Sequence, residues 1–283
     1  MTISRKDVLA TIVVSAVLFL SSPVALTQQS SAQLSSEQIA QIVASPDRSE
    51  ADRTNDLRRK PEQMLGFIGI RPGIVALDLS AAGGYTTELL ARAIGPSGTV
   101  YGQSQPIDPS RTPAPPPAPE GNSNPTVIPS AAQATPPTAR RPSAVALAER
   151  DSKLRSNGVP AASIVAISRP FGDAVPPELA AERIDLVTLM FNYHDLGHLG
   201  VDRAAMNQAV FRALKAGGVY VIADHSGRAG TGISESGTLH RIEEAFLRQE
   251  VEAAGFEMLE EGNFLRPGIR TRRTRRSRKT NSF

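Results

Sequence analysis

The chain alternates short apolar runs with helical segments, and this alternation restricts its fold more than any other feature. An apolar run at 74–79 leads into a loop of small residues, then a helical segment that begins at Tyr85, and then a second strand-like run at 99–103. Strands that alternate with helices are joined by crossovers, which make the strands parallel. The sequence therefore predicts an α/β fold: a doubly wound, mostly parallel sheet with helices on both faces.

The same alternation continues through the second half of the chain. Helical patterns come before the first strand at 34–45 and 49–69, the second restarting at Pro61. Later helices are predicted at 144–158, 176–183, 201–218 (stopped by Gly217 and Gly218) and 238–256, and later strands at 163–171, 184–191, 219–226 and 256–265. Six strands in one sheet imply a single domain at 33–265.

Three segments fall outside this pattern, at 1–32, 104–143 and 266–283. Residues 104–143 carry 12 of the 22 prolines, which predicts a disordered, proline-rich insertion that interrupts the domain. Residues 266–283 contain seven arginines, one lysine and no acid, so we expect a disordered basic tail. No aromatic residue lies among these arginines to stack on bases, which makes a nucleic-acid partner unlikely. Without the tail the chain has a net negative charge.

The N-terminus has the order of a secretory signal. Arg5 and Lys6 come before an apolar run at 8–20, and small and polar residues follow. The apolar run is shorter than the roughly 20 residues of a membrane-spanning helix. We predict that 1–32 is a signal peptide, cleaved after Ala25 or Ala32, which exports the protein to the periplasm. Uncleaved, it is an N-terminal anchor and the only membrane contact.

The chain contains no cysteine, which excludes disulfides, thiolate metal sites and a cysteine nucleophile. In a doubly wound sheet the ligand lies beyond the carboxyl ends of the strands. After the first strand, 80–84 are all small and allow the backbone to approach a ligand at a helix N-terminus, while Asp78 at the strand end offers a hydrogen-bond acceptor. A tight turn from strand to helix needs small residues as well, so the loop alone is weak evidence.

Taken in order, several motifs resemble one family. They are VALDLSAAGGY at 75–85, TVYGQ at 99–103, FGDA at 171–174, IDLVTLMFNYHDL at 184–196 and ALKAGGVYVIADHS at 213–226. Together they resemble the class I S-adenosylmethionine-dependent methyltransferases, and more closely a predicted bacterial branch. The resemblance implies S-adenosylmethionine as cofactor, a Rossmann-like methyltransferase fold and a methyl acceptor bound near the end of the fourth strand.

The resemblance also implies roles for individual residues. Asp78 and the loop 80–84 would hold the methionine moiety with Tyr85 beside it, Gln103 would lie at the ribose, and Asp173 at the adenine amine. The residues implied to bind the cofactor are Asp78, Ser80, Ala81, Ala82, Gly83, Gly84, Tyr85, Gln103, Phe171, Asp173 and Asn192.

This chain departs from the family in three ways. Glycine is common in the family where Ser80 and Ala82 stand, and an acid is common where Gln103 stands. The family also ends in an antiparallel hairpin of strands six and seven, of which the seventh looks absent here.

Methyl transfer depends chiefly on positioning the acceptor, with a base where the acceptor carries a proton. We predict His194 as that base, with Asp195 and Tyr193 as further catalytic residues. The alternative is a divalent metal held by His194, Asp195 and His198 with Asp224 or His225. We predict no metal, because this spacing is not a recognised zinc pattern. His198 and His240 are interpreted as surface or capping residues.

The leading hypothesis is an S-adenosylmethionine-dependent methyltransferase acting on an unknown small molecule. A catalytically inactive relative that binds a ligand or partner is the alternative. A nicotinamide dehydrogenase is disfavoured, because the glycine-rich fingerprint and its downstream acid are missing. The charged run at 48–59 is interpreted as a solvated helix face, with a lid over the pocket as the other possibility.

Overall fold

A computed structural model of the protein describes residues 32–106 and 141–266. The predictions for the signal segment, for most of the proline-rich insertion and for nearly all of the basic tail lie outside the described residues. Within those residues, no helix is long and apolar enough to cross a bilayer.

Five parallel strands form the sheet. They are β1 (Val75–Leu79), β2 (Thr99–Ser104), β3 (Ser163–Ser168), β4 (Ile184–Met190) and β5 (Leu214–Ala223), in the spatial order β3-β2-β1-β4-β5. All four strand pairs are parallel. The chain moves outward from β1 in one direction and then returns to place β4 on the other side of β1, which is the topology of a doubly wound sheet. The predicted fold class is confirmed.

Nine α-helices occur in the described ranges. They are α1 (Ser36–Val43), α2 (Glu50–Arg59), α3 (Pro61–Ile68), α4 (Tyr85–Ile94), α5 (Ser143–Ser156), α6 (Asp195–His198), α7 (Arg203–Ala213), α8 (Ser236–Leu239) and α9 (Glu244–Glu252). Pro61 begins α3, as the restart at that position predicted. Of the predicted helix at 176–183, only a short 3-10 helix forms, at Pro177–Leu179.

The sheet has an apolar core on each face. Because side chains alternate along a strand, Ala76 on β1 packs with α1, α3, α4 and α5, whereas Leu77 and Leu79 pack with α7 and the loops after β3. Asp78 shares the face of Ala76 and enters the apolar layer under α4. Burial on both faces explains why the central strands are almost continuously apolar.

Three further predicted elements are wrong. The helix predicted to stop at Gly217 and Gly218 already ends at Ala213, and β5 starts at Leu214, which pairs with Ile184. A register shift follows, and Gly217 has φ +75°, so the two glycines form an irregularity inside a strand.

The long helix predicted at 238–256 is interrupted. His240 has φ +51°, and Ile242 makes an isolated bridge with Ser226 beyond the end of β5, so α8 and α9 are separate. Burial of Ile242 favours this break over a continuous helix. The strand predicted at 256–265 is irregular chain, in which the Phe264 ring packs 5.8 Å from that of Phe67.

The charged run at 48–59 was also predicted wrongly as a solvated face. Arg48 and Asp52 are each 4% exposed. Arg48 forms a bidentate pair with Asp56, and Asp52 accepts two hydrogen bonds from Arg150 on α5. The run therefore attaches α2 to the domain through buried ion pairs.

Candidate functional site

The strand order places the candidate site where β1 and β4 lie side by side. The chain leaves β1 for one face of the sheet and β4 for the other, so a crevice opens between the loops that follow them. The first loop, 80–84, joins β1 to α4. The second, 191–194, joins β4 to α6.

The loop 80–84 takes backbone conformations that favour glycine. Ser80 has φ +61°, Ala82 φ +47° and Gly84 φ +80°. Ser80 and Ala82 stand where glycine is common in the family that the sequence resembles. The loop geometry therefore survives the two substitutions, at a cost of about 1 kcal/mol for each non-glycine residue.

Contacts from neighbouring strands and from α5 hold this loop in place. The Ser80 N–H donates to Gln103 Oε1 at 3.1 Å, and the Ala82 N–H donates to Ser104 Oγ at 3.2 Å. Ser143 Oγ donates to the Ala82 carbonyl at 2.6 Å, and Arg150 Nε donates to the Gly83 carbonyl at 2.5 Å. Sequence reasoning missed Ser143 and Arg150, because both follow the insertion and are far from the loop in the chain.

Gln103 joins three strand ends. Its side chain is fully buried; Oε1 accepts from Ser80, and Nε2 donates to the Arg169 carbonyl at 2.6 Å. Both halves of the amide are thus used in positioning the loops after β1 and β3. The amide suits this place because it supplies a donor and an acceptor, which a carboxylate cannot do.

Asp78 lies beneath the loop. It is 2% exposed, Thr87 Oγ1 donates to one carboxylate oxygen at 2.6 Å, and Thr188 Oγ1 donates to the other at 2.8 Å. Burial raises the pKa of Asp78 to about 6, although the two hydroxyls act in the opposite direction. The carboxyl group therefore ties β1 to α4 and β4.

Helix α2 lies close to both loops. Tyr85 Oη donates to Asp56 Oδ1 at 2.7 Å, and the guanidinium of Arg59 lies 4.2 Å from the centre of the Phe191 ring. Burial raises the pKa of Tyr85 well above its usual value, and the contact with Asp56 adds to this effect. Phe191 has φ +60°, so the second loop also starts in a left-handed conformation.

The two residues after β3 that were predicted to bind the cofactor, Phe171 and Asp173, lie in different environments. Phe171 is buried in the core on the α7 face. Asp173 is exposed and its carboxylate is ion-paired with Arg169, whose Nε also donates to the Asp173 carbonyl at 2.8 Å. Their predicted contact with a cofactor stays a prediction.

His194 lies between two carboxylates. Nδ1 is 2.5 Å from Asp224 Oδ1, and Nε2 is 3.1 Å from Asp195 Oδ1. Asp224 also accepts a hydrogen bond from the backbone N–H of His194 at 2.7 Å. Burial lowers the pKa of His194, but the hydrogen bonds with Asp195 and Asp224 outweigh it and raise the pKa to about 9. At neutral pH the ring is therefore an imidazolium.

Asp195 is the centre of this second group of side chains. Besides His194, it accepts from His240 Nδ1 at 2.8 Å and from Asn192 Nδ2 at 2.9 Å. Burial raises the pKa of Asp195, but the hydrogen bonds from His194 and His240 lower it overall. Asn192 Oδ1 is buried without a hydrogen-bond partner among the described residues. His240, interpreted from sequence as a surface or capping residue, thus belongs to the site.

Tyr193 faces a different environment. It is fully buried. Its hydroxyl donates to Glu250 Oε2 on α9 at 3.0 Å and accepts from Asn207 Nδ2 on α7 at 2.8 Å. Burial raises the pKa of Tyr193 above its usual value. The contacts that the structure gives it are those of a packing residue between α7 and α9, and its catalytic role stays a prediction.

Comparisons with known proteins found similarity in solved structures. A scan against protein-family models and a search of curated proteins found no match. A SAM-dependent methyltransferase from Aquifex aeolicus is 15% identical, with a TM-score of 0.46, over 79% of this chain and 89% of the other. An arsenic(III) S-adenosylmethionine methyltransferase from Chlamydomonas reinhardtii is 17% identical, with a TM-score of 0.44, over 65% of this chain and 52% of the other.

Aeropyrum pernix fibrillarin, solved with natively bound S-adenosyl-L-methionine, is 16% identical with a TM-score of 0.37, over 68% of this chain and 60% of the other. This chain thus spans only about half to three fifths of the Chlamydomonas and Aeropyrum proteins.

Proposed function

We propose that the protein is an S-adenosylmethionine-dependent methyltransferase. The observation that carries this proposal is the loop 80–84 at the crevice between β1 and β4, in which Ser80 and Ala82 take left-handed conformations. These conformations turn the chain sharply from the strand into α4. Ala82 and Gly83 are exposed at this turn, so a ligand can approach the backbone closely.

The N-terminus of α4 supplies the complementary charge. Gly84 is the N-cap residue and has no side chain with which to cap the helix. The first N–H groups of a helix favour an anionic partner. A carboxylate such as that of a methionine moiety fits this chemistry, and we assign it to the exposed side of 82–84.

The acceptor would bind on the side of the second loop. Asn192, Asp195 and His240 lie together there, and they offer hydrogen-bond donors and acceptors for a polar small molecule. His194 is an imidazolium in the protein without further ligands, so it cannot itself take up a proton in that state. Its place is instead beside Asp195, which it orients, and we assign the binding of the acceptor to Asn192, Asp195 and His240.

The test is calorimetric titration of the full chain with S-adenosylmethionine and with its demethylated product. The decisive variant is Gly83→Asp. A Cβ at Gly83 meets no atom within 4 Å, so there is room for a side chain at this position, and its carboxylate would repel an anionic ligand. We expect the affinity for both molecules to fall at least tenfold, with the melting temperature unchanged.

Gly66→Asp is the matched control, because a Cβ at Gly66 on α3 also meets nothing within 4 Å. It should bind both molecules as the natural chain does. Equal binding by Gly83→Asp and the natural chain would show that the cofactor does not bind at the loop 80–84. Absence of binding to the folded natural chain would refute the proposed function.

The signal-like segment at 1–32 supports a second, separate proposal, that the protein is exported or anchored in the membrane. Fusion of this segment to a reporter enzyme that is active only outside the cytoplasm tests it. Absence of reporter activity from a fusion protein that accumulates in the cell would refute it.

A further inference from the structure

All four histidines of the chain lie between 194 and 240, and the structure brings them together. The ring centroids of His194 and His225, and of His194 and His240, are 5.6 Å apart, and those of His198 and His240 are 5.8 Å apart. They come from three segments that are separated in sequence, at 194–198, 225 and 240. We call these four residues, with Asp195 and Asp224, the histidine cluster.

Three side chains of the histidine cluster offer ligand atoms at distances suited to one metal ion. One such atom each from His194, Asp195 and His240 lies within 4.8 Å of the others. Asp195 Oδ1 is 3.1 Å from His194 Nε2 and 2.8 Å from His240 Nδ1. Ligand atoms that share an ion at about 2.0–2.2 Å are separated by roughly 3 to 4 Å.

Asp224 fixes the orientation of His194. Its two oxygens bind Nδ1 and the backbone N–H of His194, so the ring is held with Nε2 towards Asp195. A histidine that binds a metal through one nitrogen typically donates its other N–H to a carboxylate, as His194 does here. Ser236 Oγ further fixes this turn by donating to the His194 carbonyl at 2.5 Å.

The other side of the histidine cluster is open. The side chain of His240 is 56% exposed and that of Asp195 24%, whereas His194 is 3% exposed. An ion bound there would be held from below by His194 and would keep positions for water or another ligand. His240 also has a left-handed φ of +51°, a costly conformation for a residue other than glycine.

We propose that His194, Asp195 and His240 form a binding site for one divalent transition-metal ion. Two imidazoles and one carboxylate favour ions of the zinc and iron(II) class over magnesium, which prefers oxygen ligands. The prediction of no metal rested on the spacing of 194–198. The third ligand comes from a different loop, so that spacing was not the relevant one. This inference goes beyond the proposed function, because metal binding does not require methyl transfer.

The experiment is equilibrium dialysis of the full chain, freed of metal by a chelator, against ZnCl₂ and separately against MgCl₂. We expect one zinc ion per chain and at least tenfold weaker binding of magnesium. The variant His240→Ala removes an exposed ligand and should weaken zinc binding at least tenfold. Leu239→Ala, an exposed neighbour without a ligand atom, is the matched control and should bind zinc as the natural chain does.

A second variant distinguishes an organised metal site from adventitious binding of zinc by surface histidines. Asp224 contacts His194 but is not one of the three ligands proposed from the structure, so Asp224→Asn should weaken zinc binding 10- to 100-fold through the orientation of His194. A circular dichroism spectrum and melting curve establish that this variant is folded. Folded Asp224→Asn that binds zinc like the natural chain, or equal binding by His240→Ala, would overturn the proposal.

The titrations with S-adenosylmethionine keep the two proposals distinguishable. Gly83→Asp should lose cofactor binding and retain zinc, and His240→Ala should lose zinc and retain cofactor binding. If the natural chain binds the cofactor but no zinc, only the metal proposal fails.

Discussion

The two loops at the crevice are built on different principles. The loop after β1 depends on backbone conformation, and its contacts run to peptide groups of Ser80, Ala82 and Gly83. The second loop depends on side-chain chemistry, in which His194 is held between Asp195 and Asp224. The first can therefore tolerate changes of small residues as long as φ is preserved, whereas the second should be sensitive to any change of an imidazole or carboxylate.

The largest expected effect is that of Arg150→Ala. Arg150 binds Asp52 at 2.7 and 3.0 Å, contacts Glu88 and donates to the Gly83 carbonyl. Its removal leaves the buried Asp52 without its cation, whereas Glu88 keeps its ion pair with Arg92, and should cost about 3–5 kcal/mol of unfolding free energy. Urea denaturation measures this loss of unfolding free energy. Arg155→Ala, which breaks an exposed pair with Asp151, is the control and should be indistinguishable from the natural chain.

A loss below 1 kcal/mol in Arg150→Ala would break the comparison, because it would mean that the first loop does not depend on this tether. The same measurement on His240→Ala tests the other half of this comparison. His240 is exposed, so we expect its removal to affect zinc binding and leave stability almost unchanged.

The next effect concerns pH. The pKa of Asp78 is raised from 3.8 to about 6, so Asp78 stabilises the fold fully below pH 3.8 and loses this contribution as pH rises through 6. The change amounts to about 3 kcal/mol. Asp78→Asn carries no charge at any pH. Relative to the natural chain it should therefore gain about 3 kcal/mol between pH 3.8 and pH 7, as measured by urea denaturation. Parallel pH profiles for the two proteins would contradict the buried carboxyl group described here.

The smallest effect tests the strain in the first loop. Ala82→Gly should stabilise the fold by roughly 0.5–1 kcal/mol, because glycine adopts φ near +47° without steric cost. Ala148→Gly, at an exposed position within the regular helix α5, should destabilise it by about 1 kcal/mol. Thermal melting compares the two. Destabilisation by both substitutions would show that Ala82 is not strained.

The sheet was predictable because its information is local. Burial on both faces makes β1 and β4 apolar throughout, and small residues mark the turn into α4. The errors lie where tertiary contacts override local pattern. The segment 238–256 has a helical period, yet bridging of Ile242 to Ser226 interrupts it, and at 214–218 pairing with β4 prevails over the helix.

The site was predictable in part for the same reason. Strand ends pointed to Asp78, Gln103 and the turn at 192–195, since topology places ligands there. No sequence pattern could show that His240 reaches Asp195 or that Arg150 reaches Gly83, because each pair is joined only by the fold. The grouping of every histidine of the chain within one stretch hinted at His240, but it did not show which residue His240 contacts.

The two ends of the proline-rich insertion meet beside the first loop. The hydroxyls of Ser104 and Ser143, which flank the proline-rich insertion, are 2.6 Å apart. The chain thus leaves and re-enters the described part of the protein at one point. Because the entropy of closing a loop changes by only about 0.6 kcal/mol for each doubling of its length, this segment is free to lengthen or shorten over evolution. For an engineer, it is the natural place to graft another sequence or to divide the protein into two chains.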